Sequence, residues 1–226
     1  MEQINLEAID VDGAVREAAE EVGGDTRLAF LRKGAVAGGA ALSGGAILGE
    51  LISPALAEAK GRPPRKFGKG DIGILNFALT LEYLESSFYN EATRAGKITD
   101  PPLVQLLRTV THDENAHVKL LKQALGHKAI KKPKFNFHGI PENQSKFAAT
   151  TYVLENTGVR AYLGQAPNIK KPKVLLTAAR IVTVEARHSG AIGLYLRKSI
   201  SPSGALDHGE SAQKILKEVK ATGFLQ

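Results

Sequence analysis

Two short stretches of this chain carry the residue types of a metal-binding chemistry. Glu114 and His117 form one Glu-x-x-His pair, and Glu185 and His188 form another; each lies inside a long segment of apolar residues at helical spacing. On a helix, residues three apart lie about one turn from each other on the same side. Each pair therefore aims a carboxylate and an imidazole at one point. An isolated pair of this kind is common, and the specificity comes from what precedes each copy. Glu82 stands 32 residues before Glu114, and Glu155 stands 30 before Glu185; a tyrosine follows each seven residues on, Tyr89 and Tyr162. The chain thus reads twice as Glu, Tyr, a gap and Glu-x-x-His, an internal repeat of two helical hairpins. The candidate metal ligands are Glu82, Glu114, His117, Glu155, Glu185 and His188. One Glu from each of two helices and one Glu-x-x-His from each of two others is the dinuclear carboxylate pattern of helical bundles. Four ionised Glu on apolar stripes are very costly to bury unpaired, and no Lys or Arg lies on those stripes. Two divalent cations offset four carboxylates in full. Carboxylate and imidazole donors suit iron or manganese, and a chain without cysteine has no thiolate to favour softer ions.

Four helices must carry these residues. The first is expected over about 72–95, with Asp71 as N-cap, Gly96 as stop and an inward stripe of Leu75, Ala78, Glu82, Glu85, Tyr89 and Ala92. The second has Asp100 as N-cap, Pro101 in its first turn and an end near Leu125, with Leu107, Val110, Glu114, His117 and Leu121 inward. Residues 126–141 have no clear period and read as a long crossover. The third helix is expected over about 142–165, with Ala148, Thr151, Glu155, Gly158 and Tyr162 inward; a turn follows at 166–171. The fourth runs over about 172–198, with Ala178, Ile181, Glu185, His188, Ile192 and Tyr195 inward. The tail 199–226 holds a short amphipathic stretch, Ile215, Leu216 and Val219, and an apolar end, Phe224-Leu225, which should pack on the bundle. All the candidate ligands fall near the middles of their helices, the depth at which antiparallel helices of equal length meet.

The stretches Leu81-Glu82-Tyr83-Leu84-Glu85, Asp113 to His117, Leu154 to Leu163 and Val184 to His188 resemble bacterial ferritin-like domain proteins, the group that includes plant desiccation-related proteins. The resemblance covers about residues 70–226. It implies an all-α, ferritin-like four-helix bundle: two antiparallel hairpins, a long crossover between the second and third helices, and a short helical tail. It also implies that Glu114 and Glu185 bridge the two ions, while His117 and His188 each bind a different one, and it suggests a part in stress or desiccation. Such a site supports redox chemistry on dioxygen or peroxide with a reductant, of ferroxidase or catalase type. The alternative is a non-enzymatic metal-binding or structural protective protein.

Several neighbours of these ligands have lesser roles. Glu85 also faces inward, but the repeat aligns Glu82 with Glu155 and Glu85 with Gly158, so Glu82 is the ligand and Glu85 a supporting or approach-path carboxylate. Tyr89 and Tyr162 read as core aromatics or as hydroxyls that orient a ligand Glu. Asp113 is a candidate partner for a ligand His; Val184, its counterpart in the repeat, cannot do that job. Arg160 and Arg187 could pair with acids around the ligands but read rather as solvent-facing, and His112 as a surface or supporting residue. His127, His138 and His208 have no assigned role.

The net charge of +7 is unevenly spread: residues 1–57 hold nine acids and four bases, and the remainder holds 14 acids and 26 bases. The bases are scattered, and the Lys cluster at 128–134 lacks the aromatic interleaving of a nucleic-acid surface, so no specific nucleic-acid partner is expected. Residues 1–59 combine an acidic start, Phe30-Leu31-Arg32-Lys33, a Gly- and Ala-rich apolar run and an Ala-x-Ala end, like a twin-arginine export signal. They depart from it in lacking an Arg-Arg pair and in carrying Glu50. Residues 34–57 are also long enough to contact or span a membrane. Export to the cell envelope is the expectation, with an uncleaved anchor or a cytoplasmic helical extension as the alternatives. Residues 60–70 read as a linker and 71–226 as the folded domain. Oligomeric state, metal identity and substrate are not legible.

Overall fold

The computed structural model describes residues 61–226; the export-signal and anchor readings of residues 1–59 lie outside the described residues. The described chain is helical: α1 Gly70–Ala95, α2 Pro101–Leu125, α3 Gln144–Gln165, α4 Pro172–Tyr195 and the short α5 Ala212–Ala221, with no strand among the described residues. No helix among them is long and apolar enough to cross a membrane.

The helix bounds follow local chemistry, with three corrections. Asp71 is not the N-cap of α1; Lys69 is, and Gly70 (φ 56°) turns the chain into the helix early. The Asp71 carboxylate instead accepts the backbone N–H groups of Lys170 and Lys171, both at 2.9 Å, just ahead of α4. There it offsets the positive end of that helix. The third helix begins at Gln144 rather than near 142, because Asn143 caps it by accepting from the Lys146 N–H at 3.0 Å. The fourth ends at Tyr195, three residues short of 198, where Arg197 (φ 55°) reverses the chain. Gly96, left-handed at φ 62°, stops α1 as anticipated.

Short loops make α1–α2 and α3–α4 antiparallel hairpins. Tyr162 of α3 bonds Glu82 of α1, and Tyr89 of α1 bonds Glu155 of α3, so these two helices are also antiparallel. Hence α2 and α3 run parallel, and the chain must travel the length of the bundle between them. A 25-residue α2 is about 37 Å long, and the 126–143 crossover can reach about 59 Å when extended. The crossover is packed, not free. Phe137 is buried, and Asn76 of α1 ties down its start by donating to Lys128 O and accepting from the Ile130 N–H. The segment before α1 is packed as well: Phe67 is buried against Phe77.

The tail closes over this frame. Ala212, Ile215 and Val219 of α5 are buried, as is Phe224, whose ring meets Phe137 edge-on at 5.2 Å. Leu225 pairs with Phe135 in an isolated antiparallel bridge. Two apolar layers result. One is built around Phe88, Tyr89, Phe147, Leu103 and Leu107, and the other around Leu75, Leu79, Leu121, Ile181 and Tyr162. The polar residues of the helix middles lie between them.

Candidate metal centre

Each helix delivers its polar residues at mid-length. Glu82, Glu114, Glu155 and Glu185 have no exposed surface; His117 and His188 are 7 % and 4 % exposed. Their donor atoms converge into two groups, each with all atoms within 4.8 Å of one another: Glu82, Glu114, His117 and Glu185, and then Glu114, Glu155, Glu185 and His188. These six are the residues singled out from the repeat, and Glu114 and Glu185 belong to both groups.

Hydrogen bonding cannot satisfy this arrangement. His117 Nδ1 lies 3.2 Å from Glu82 Oε2, 3.1 Å from Glu114 Oε2 and 3.2 Å from Glu185 Oε1. One ring nitrogen carries at most one proton, so it serves one of the three oxygens. His188 Nδ1 is shared likewise between Glu155 Oε2 at 3.1 Å and Glu114 Oε1 at 3.2 Å. Glu82 Oε2, Glu114 Oε1 and both Glu185 oxygens are buried with no hydrogen-bond partner. Buried, orphaned carboxylate oxygens facing an imidazole nitrogen are what a cation would bind. The residues present therefore fit metal binding.

The electrostatics agree. Burial and the neighbouring Glu82 charge push the Glu114 carboxyl up to about 8. Burial, then the Glu114 charge, holds Glu185 well above the usual carboxylate range. Burial would raise Glu82 too, but the His117 imidazole 3.2 Å away brings it below its ordinary value. Burial opposes protonation of His188, yet bonds to Glu114 and Glu155 push it up to about 11, and His117 is raised further by Glu114, Glu185 and Glu82. Metal-free, the cluster stays neutral enough to bury by retaining protons.

Supporting residues act crosswise. The Tyr89 hydroxyl donates to Glu155, and the Tyr162 hydroxyl to Glu82, so each tyrosine orients the carboxylate of the other hairpin. Asp113 Oδ2 lies 3.1 Å from His188 Nε2, the nitrogen facing away from the cluster, although Asp113 neighbours Glu114 on α2. That contact favours a proton on Nε2 and leaves Nδ1 free for a cation. His112 is exposed and bonds Asp113 Oδ1 at 2.8 Å. Arg160 does not simply face solvent; it pairs with Glu218 of α5 at 2.8 Å. Glu85 is buried beside the groups rather than within them. Two features were missed in the sequence. Asn115, inside the first Glu-x-x-His, accepts from Ser86 at 2.8 Å and from Asn90 at 2.9 Å, clasping α1 to α2. Gly158 leaves the space that Glu185 and Glu85 use: a Cβ there would stand 2.7 Å from Glu185 Oε2. The alignment of Glu85 with Gly158 was the available signal.

One side of the bundle is open. A groove of about 680 Å³ between α2 and α4 is lined by Pro102, Leu106, Val184, Leu194, Tyr195 and other residues, and both Asp113 and His188 border it.

A family model described as a ferritin-like domain matches residues 70–198, more than half of the 226-residue chain. No curated protein matches it.

Proposed function

This chain belongs to the ferritin-like domain family, and from that premise we propose that it binds two iron or manganese ions and uses them in oxygen- or peroxide-linked redox chemistry that protects against stress. The observation that carries the reading is the set of orphaned, fully buried carboxylate oxygens around two imidazoles. Glu82 and His117 would hold one ion, Glu155 and His188 the other, and Glu114 and Glu185 would bridge them. Such an ion pair, when bound, exchanges electrons with dioxygen or peroxide.

The chain's own residues supply the setting. Tyr89 and Tyr162 fix the outer carboxylates, and Asp113 holds the His188 ring. The two apolar layers exclude water from above and below. The groove between α2 and α4 gives a small oxidant, or a reductant, an approach that ends at His188. The protein would act as an oxidoreductase of ferroxidase or catalase type.

Oxygen uptake and peroxide decay, measured on iron- and manganese-loaded protein, test this. Metal-dependent turnover lost in Glu114→Ala and Glu185→Ala supports the redox reading. A second reading, a non-enzymatic protective protein in which metal staples the bundle, draws on the same cost of burying unpaired carboxylates. It predicts a large metal-dependent rise in Tm and no turnover.

A further inference from the structure

The internal repeat relates the two halves of the centre, and one position breaks the relation. Antiparallel α1 and α3 set Glu82 against Tyr162 and Tyr89 against Glu155. Glu85 stands between Glu82 and Tyr89 on α1, and Gly158 stands between Glu155 and Tyr162 on α3. The register therefore sets Glu85 opposite Gly158, midway between the two halves, where an approximate twofold axis passes. A Cβ on Gly158 would lie 2.7 Å from Glu185 Oε2 and 3.5 Å from Glu85 Oε1. Glu85 is 3 % exposed. Its Oε1 and Glu185 Oε2 both border the space that Gly158 leaves, so Glu85 stands beside one of the two carboxylates shared by both groups of donors.

We propose that Glu85 is a seventh protein ligand, a carboxylate on the approximate axis that bridges both ions from the α1–α3 side. This rests on the dinuclear reading above. It deepens that reading through charge: four carboxylates balance two divalent ions, whereas five balance one divalent and one trivalent ion. Glu85 as an ionised ligand therefore favours the pair in which one of the two ions is oxidised.

Wild type, Glu85→Gln and Glu85→Asp, each stripped and then titrated with Mn(II), test the proposal by calorimetry and electron paramagnetic resonance. Glutamine keeps the volume and removes the charge; aspartate keeps the charge and withdraws the carboxylate by one methylene. The expected result is two ions per wild-type chain. In both variants the second ion binds at least about tenfold more weakly, and the coupled-pair spectrum changes. Melting of the metal-free variants checks folding, and Glu85→Gln should melt no lower than wild type, because it removes a buried ionisable group. A Glu85→Asp protein with wild-type affinity and spectrum overturns ligation, and a wild-type Glu85→Gln protein overturns any role in binding. Fewer than two ions in the wild type itself overturns the dinuclear reading, an outcome distinct from either.

Discussion

Tyr89 and Tyr162 show how far single residues decide the centre. Each hydroxyl serves a fully buried carboxylate on the facing helix. Replacing either with Phe leaves a buried oxygen without a donor, at about 1–3 kcal/mol. It also frees a ligand to rotate, which typically weakens metal affinity about 10–100-fold. Denaturant melts and Mn(II) titration of Tyr89→Phe and Tyr162→Phe measure both effects, and the two variants should behave alike because the repeat relates them. Residue identity was legible here because buried Glu on an apolar stripe is too costly to be incidental. Partner choice was not. Asp113 adjoins Glu114 in sequence but meets His188 of the other hairpin. No spacing rule specifies which helix of a bundle lies beside which, and that contact follows from α2 packing antiparallel to α4.

At the scale of elements, α1 to α4 were readable because 3.6-residue periodicity persists for more than 20 residues in each, and glycine or proline marks both ends of α1 and α2 and the start of α4. The starts were less so. Asp71 has the chemistry of a cap, but the backbone ahead of α4 recruits its carboxylate. The tail is held by a contact that no periodicity announces. A Cβ on Gly164 of α3 would stand 1.8 Å from Glu210 O, closer than any real approach, so the strand of chain before α5 lies directly on the α3 backbone. Glu210 N–H donates to Arg160 O at 2.9 Å just beside it. Gly164→Ala should therefore lift the segment around Glu210 off α3. Hydrogen exchange should rise across residues 205–226, while Mn(II) stoichiometry, set by α1 to α4, stays unchanged. Ile215→Ala, which empties a fully buried position of α5, should cost about 2–5 kcal/mol by denaturant melts.

The whole molecule couples folding to protons and metal. In the metal-free protein Glu114, Glu185 and Glu85 hold protons above the usual carboxylate range, and both histidines hold theirs above the usual imidazole range. The folded state thus binds more protons than the unfolded one, and stability falls as pH rises. The Glu114 share of the loss runs from about 4.5 to about 8; the His188 share is fully present below about 6.5 and is lost as pH climbs through about 11. Glu82 and Asp113, both lowered, act in the opposite sense but are outnumbered by the raised groups. Melting of metal-free protein between pH 5 and 8 should show a falling Tm. Metal reverses the trend, because cations displace these protons and bind more tightly at higher pH. A free ion at 100 times its Kd adds about 2.7 kcal/mol per site, or roughly 5–10 °C in a chain of this size. Residues 1–59 carry the proposal of export, which predicts that the protein recovered from its own cell envelope begins after Ala57 or Ala59; a mass spectrum of the mature protein checks it. Composition exposed the uneven charge of the chain but said nothing of assembly, since surface pairing follows from shape rather than from periodicity.

The central claim is that the buried carboxylates and histidines hold two ions. Elemental analysis of protein purified without added metal, beside a Glu114→Ala/Glu185→Ala double variant, tests it most directly. The account predicts about two iron or manganese per chain in the wild type and none in the variant. A wild-type protein that carries no metal, and whose stability does not change when iron or manganese is added, would contradict it and leave the helical bundle in a structural role.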